Sequence, residues 1–298
     1  MKKPTTFKTR IKNHGLEIIK SIQDKQKAKE LAQFQKRARA SVFIIDFDHK
    51  TEGNIFKAFE RDVNAVLMNA DPLKGDKVFI RIKTPGGGVT AYADAAKHIE
   101  RLRAANIHVT CFVDEIAASG GYMMASCCNH IVAQKMAMIG SIGVVATMPN
   151  IEQALEKLGV TVTNYTSGKS KRTVTPTSKP TEEEKNHFNG KLREIHDAFI
   201  AHVKTYRPDI DESKYMDGDF YLAGNSIDAG LVDEIGDSYS AILTAFKNNY
   251  RIYTVTTEEK KSGNGIFSFL NIESTIENVI ESRFNRIFKS IMGNEIIR

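Results

Sequence analysis

Long apolar runs are missing from this 298-residue chain. No stretch approaches the ~20 consecutive apolar residues that span a bilayer, so a transmembrane helix is not expected. Residues 1–30 begin with basic residues, but no apolar core follows them, and a secretory signal peptide is therefore not expected either. Cysteine is scarce. Cys111, Cys127 and Cys128 are too few for a disulfide-dense scaffold, and no CxxC accompanies them. The eight histidines form neither an HExxH nor an HxH pair, so no metal site is expected. Neither GxxxxGK[ST] nor GxGxxG occurs, which removes the two common phosphate-binding loops, and no internal repeat or low-complexity tract is present.

What remains is the composition of a folded protein, 41% hydrophobic and 26% charged. The net charge of +6 is unevenly distributed. Residues 1–40 carry twelve Lys and Arg against Glu17, Asp24 and Glu30, an excess of nine positive charges. The other residues carry 30 basic against 33 acidic side chains and are slightly acidic. Such a basic arm suits an anionic membrane surface or nucleic acid, or is a solvated helix. Its only aromatics are Phe7 and Phe34, too few for a base-stacking platform, so no nucleic-acid partner is expected.

The body reads as alternating strands and helices. Val42–Phe47, Lys77–Ile82, Val109–Val113 and Ile131–Ala133 are short β-branched runs of the kind buried on both faces of a parallel sheet. Between them, Ile55, Phe59, Val63, Val66 and Leu67 recur at helical spacing, and Ala91–Ala104 is a second helix. This order predicts an α/β fold with a mainly parallel sheet of βαβ units, whose functional groups gather where strands end and helices begin. Thr181 and Glu184 form a capping box ahead of a stripe of Phe188, Leu192, Ile195, Phe199 and Val203. After Ser262–Gly265, residues Ile272, Ile276, Val279, Ile280, Phe284, Ile287, Phe288 and Ile291 mark a last amphipathic helix, fitted to a partner or a membrane surface. The expected division is a basic helical arm over 1–40, an α/β domain over 41–255, and a linker with the terminal helix over 256–298.

Two glycine-rich segments fall at strand-to-helix junctions. Ser119, between Ala117-Ala118 and Gly120-Gly121, has the small neighbours that let a carbonyl approach a nucleophile, and a helix start that offers a backbone N–H to an oxyanion. A tightly packed helix cap has the same sequence. Pro85-Gly86-Gly87-Gly88 supplies further free N–H groups or is a plain turn. For a base, Asp114 and Glu115 lie on the strand side and can equally cap the turn, and His130 lies beyond the helix that carries Ser119 away. Lys171, in Ser167-Gly168-Lys169-Ser170-Lys171-Arg172-Thr173, is the better candidate, since a desolvated lysine serves as a general base. Without Ser119 and the glycines the same segment reads as a solvated basic loop.

These segments, Thr84–Val89, Val113–Tyr122, Ile139–Val145 and Gly168–Thr173, followed by Gly230–Ile235, resemble in order and spacing the signal peptide peptidase A family, and within it the SohB-type members. The resemblance covers about residues 41–250. It implies a ClpP/crotonase-like fold and a serine endopeptidase with a Ser–Lys dyad, with Ser119 as nucleophile, Lys171 as general base, and Gly87 and Gly120 as the oxyanion hole. Ser141 is in a position to orient the lysine. No metal or other cofactor is implied. The implied substrates are hydrophobic membrane-associated peptides such as cleaved signal peptides. The implied assembly is a homo-oligomer whose sites are shared between subunits, in a bacterial, membrane-associated setting. SohB-type relatives carry an N-terminal transmembrane anchor where this chain has its basic arm; if Met1 is not the native start, a lost anchor would explain that difference. A ClpP-type protease would place a histidine about two dozen residues after the serine, where this chain has Ile142–Val145. A crotonase-like acyl-CoA enzyme would share the fold without needing Ser119 or Lys171, and a non-catalytic scaffold at a membrane surface would work through the basic arm.

Overall fold

Strands β1 (Ser41–Asp48), β2 (Lys77–Lys83) and β3 (His108–Val113) are apolar on both faces because both faces of their sheet are covered. The computed structural model describes residue 25 and residues 39–50, 54–168, 170–171 and 174–256. The basic arm and the terminal amphipathic helix lie outside the described residues, apart from residues 25, 39 and 40.

The remaining strands are β4 (Ile116–Ala118), β5 (His130–Ala133), β6 (Met138–Gly140), β7 (Phe220–Leu222), β8 (Glu234–Ile235) and β9 (Arg251–Val255). A six-stranded sheet runs in the order β8-β5-β3-β2-β1-β9, and every pairing in it is parallel. A smaller sheet, β4-β6-β7, combines one parallel and one antiparallel pairing. The two meet where Thr84, just past β2, pairs with Ala117. The expected α/β fold of βαβ units is therefore present.

Alternation along β1 divides the core. Phe43, Ile45 and Phe47 face helices α1 (Ile55–Asn69), α2 (Val89–Ala104) and α3 (Gly120–Ser126), together with Phe59, Val63, Ile99 and Met124. Val42 and Ile44 face the other way, with Phe79, Phe112, Val132 and Ala245. Asn54 caps α1 by accepting from the Lys57 N–H at 3.1 Å. α2 begins at Val89, two residues before the first residue expected, because Gly88 serves as its N-cap without a side-chain bond.

Further along come α4 (Glu152–Lys157), α5 (Glu182–Tyr206), α6 (Glu212–Tyr215) and α7 (Ser238–Lys247). The Thr181–Glu184 capping box starts α5 as expected. Only Phe199 and Val203 of its apolar stripe are buried, while Phe188 and Leu192 are half-covered and Ile195 is exposed. Just past α5, Arg207 makes a bidentate pair with Asp233 at 2.6 and 2.8 Å, and Asp233 also accepts from the Ile131 N–H at 2.7 Å. Burial alone would raise the Asp233 carboxyl, but the Arg207 guanidinium and the Ile131 N–H outweigh it and hold it below the ordinary value. A carboxylate with a lowered folded-state pKa stabilises the fold above its unfolded value of ~3.9, and that contribution is lost as pH falls through the lower folded value. Asp233→Asn is expected to cost about 1–3 kcal/mol at pH 7, with the difference shrinking as acid titrates the carboxylate, measured by urea denaturation at a series of pH values below 7.

Candidate active site

Ser119 joins β4 to α3 in a turn that few residues tolerate. Its φ of 51° and ψ of −121° are sterically unfavourable for a residue with a side chain and cost on the order of 1–3 kcal/mol. The turn is held at both ends. The Ser119 N–H donates to the Gly140 carbonyl at 2.8 Å, and the Ser119 carbonyl accepts from the N–H groups of Tyr122 and Met123 at 2.9 and 3.0 Å. The result is a half-buried serine at a sharp strand-to-helix corner, the geometry of a nucleophile elbow.

The glycine loop lies directly against this corner. A Cβ on Gly86 would sit 2.7 Å from the Ser119 Cβ and 2.8 Å from the Gly120 nitrogen, so only glycine lets the two segments approach this closely. Thr84 anchors the loop, its hydroxyl bonded to the Tyr92 phenol and accepting from the Gly86 N–H at 3.2 Å. Among the described residues, the N–H groups of Gly87 and Gly120 make no hydrogen bond. Two unpaired donors thus flank the serine.

Tyr92 is the residue that sequence reasoning missed. Its ring lies beneath both glycines: a Cβ on Gly87 would come within 3.1 Å of it and one on Gly120 within 2.3 Å. A tyrosine in the first turn of a helix carries no sequence signal for this role; only the fold brings it under residues 87 and 120. Gly120→Ala is expected to displace the ring and destabilise the protein by about 1–3 kcal/mol, whereas Gly88→Ala, with nothing within 4 Å of its Cβ, should stay within about 0.5 kcal/mol. Thermal melting of the two variants checks the contrast.

The candidate bases are dispersed. Asp114 accepts from the N–H and hydroxyl of Ser238 at 3.0 and 2.5 Å, at the start of α7, and Glu115 pairs with Lys83. His130 pairs with Glu234 at 3.1 Å, at the far edge of the sheet. Lys171 is exposed in the segment between β6 and α5, and among the described residues its side chain has no hydrogen bond to Ser119. Lys169, Arg172 and Thr173 are outside the described residues. Ser141, with a φ of 53°, gives its hydroxyl to the Gly218 carbonyl at 3.1 Å.

The fold and the strained serine define an α/β protein with an elbow of the kind that presents a nucleophile. Comparison with known proteins adds the family. Residues 101–250 match peptidase family S49, and residues 5–99 match the peptidase family S49 N-terminal region. The chain belongs to peptidase family S49. It is 37% identical to a probable protease SohB of Haemophilus influenzae, over 80% of this chain and 66% of that protein. It is 30% identical to a probable protease SohB of Buchnera aphidicola subsp. Schlechtendalia chinensis, over 80% of this chain and 79% of that one. A putative signal peptide peptidase SppA of Enterococcus faecium is 29% identical over 79% and 73%. Against several SohB relatives the chain spans slightly less than two thirds of their length, 66% for the Haemophilus protein and 60% for one from Buchnera aphidicola subsp. Baizongia pistaciae. Among solved structures, a mutant of the 1510-N membrane-bound stomatin-specific protease with a substrate peptide aligns at a TM-score of 0.41 and 13% identity, over 78% of this chain and 98% of that one. No helix among the described residues is long and apolar enough to cross a membrane.

Proposed function

We propose that this chain is a serine endopeptidase in which Ser119 is the nucleophile, Lys171 the general base, and the N–H groups of Gly87 and Gly120 the oxyanion hole. The observation that carries the reading is the strained turn at Ser119, flanked by two unpaired N–H donors. A neutral Lys171 amine takes the Ser119 proton as the hydroxyl oxygen attacks the scissile carbonyl. The negative oxygen of the tetrahedral intermediate rests on Gly87 and Gly120. The proton passes to the leaving amine, an acyl ester on Ser119 remains, and water activated by the same lysine hydrolyses it.

Lys171 completes this site from a neighbouring subunit. A lysine becomes a base at neutral pH where shielding from water or a neighbouring cation lowers its pKa; in a single chain Lys171 is exposed, and burial against another copy would supply the shielding. The segment that carries it also leaves large apolar side chains bare, with Val145 87%, Leu158 76% and Tyr165 93% exposed. Such a surface fits burial against another copy of the chain. The substrates are hydrophobic, membrane-associated peptides such as cleaved signal peptides. The domain spans residues 41–255, with the basic segment 1–40 and the segment 256–298 as attachments at a bacterial membrane surface. The test is cleavage of a fluorogenic hydrophobic peptide by the wild type and by Ser119→Ala at matched oligomeric state: cleavage abolished in the variant supports the reading, and equal rates refute it.

A further inference from the structure

We propose that Glu100, Cys127 and His202 form a binding site for a single divalent ion of the zinc class, behind the helix that follows Ser119. The three residues are far apart in sequence and come from three helices. Glu100 lies in α2, Cys127 is the C-cap of α3, and His202 lies in the last turns of α5. Their ligand atoms all lie within 4.8 Å of one another, and the Cys127 Sγ is 3.2 Å from the His202 Nε2. Bonds of ~2.3 Å to sulfur and ~2.0–2.2 Å to nitrogen and oxygen, arranged tetrahedrally, separate ligand atoms by roughly 3.3–3.7 Å. Small side-chain movements close that gap.

A fourth donor faces the same point. The Met123 carbonyl oxygen is 3.1 Å from the His202 Nε2 and 3.3 Å from the Cys127 Sγ. The carboxylate is also oriented, because the Tyr206 hydroxyl donates to Glu100 at 2.6 Å, the kind of outer contact that fixes metal ligands. Sulfur with imidazole and carboxylate selects a borderline ion such as Zn²⁺ or Co²⁺ over Mg²⁺ or Ca²⁺, which require oxygen cages. Half-buried Glu100 and His202 leave a way in to the buried thiol.

The charges close. Only the thiolate ligates, so entry of the ion displaces the Cys127 thiol proton to solvent. The dication, one thiolate and one carboxylate then sum to zero, leaving the neighbouring Arg103, which donates to the Cys127 carbonyl at 2.7 Å, as the local positive charge. His202 binds through Nε2 with its ring proton on Nδ1, giving up its contact with Met123. The bound ion would join α3 to α2 and α5 and stiffen the support of the serine turn.

The test is Co²⁺ titration of the full, metal-stripped chain followed by absorption. The expected result is one equivalent bound, with a near-ultraviolet thiolate-to-cobalt band and visible bands of a tetrahedral ion, both displaced by Zn²⁺, and one proton released per ion. Cys127→Ser should abolish the thiolate band, and His202→Gln should weaken binding at least tenfold, as judged on protein with unchanged near-ultraviolet circular dichroism. If Cys127→Ser fails to fold, the half-exposed His202→Gln decides. Absence of the band in wild type, or wild-type binding by His202→Gln, overturns the site.

Discussion

Ser119→Ala is expected to lower kcat/KM for a hydrophobic peptide by about 10⁴- to 10⁶-fold, a loss of roughly 5–8 kcal/mol of transition-state stabilisation. The size follows from covalent catalysis. Without the hydroxyl no acyl ester forms, and what remains is peptide positioning and the two N–H donors, which cannot replace a nucleophile. The variant also separates chemistry from folding. The turn at residue 119 is held by its own N–H donating to Gly140 and by its carbonyl accepting from Tyr122 and Met123, all backbone bonds that alanine keeps. Alanine has the same Cβ, so the contact with Gly86 is unchanged, and thermal stability should stay near that of the wild type. Loss of activity together with loss of fold would point to a packing role for the residue.

Equal mixing of Ser119→Ala with Lys171→Ala, co-assembled from dissociated subunits, should restore activity that neither variant has alone. If each site takes its serine from one subunit and its lysine from the next, random assembly gives about one quarter of the sites an intact pair. Recovery should approach that fraction of the wild-type rate. A dyad within one chain predicts no recovery at any ratio. The experiment requires that Lys171→Ala assemble to the wild-type size, which sedimentation checks, since Lys171 lies in the segment whose apolar residues are bare in the single chain.

The parallel sheet was legible because β1, β2 and β3 are buried on both faces and carry continuous apolar runs. The capping box of α5 was equally plain, since Thr181 and Glu184 stand at the spacing its two hydrogen bonds need. Strands β4, β6 and β7 were not: each has three residues, and their pairing depends on the partner rather than on any pattern of their own. At the candidate site, the small residues around 119 and the glycines at 86–88 marked the corner, but its strain and the position of Tyr92 required the fold. Lys171 is the sharpest contrast. Its sequence context suggested a base, yet a single chain leaves it in solvent, and its desolvation by another copy is part of the proposal that subunit mixing tests. The cluster at Glu100, Cys127 and His202 left no trace in sequence spacing, because its members meet only through packing of three helices.

Mapping the reaction of the assembled protein with a serine-directed fluorophosphonate by mass spectrometry tests the central claim most directly. One adduct on the peptide containing Ser119, absent from Ser119→Ala, is the predicted result. An adduct on a different residue, or none on a protein that cleaves peptide, would contradict the account.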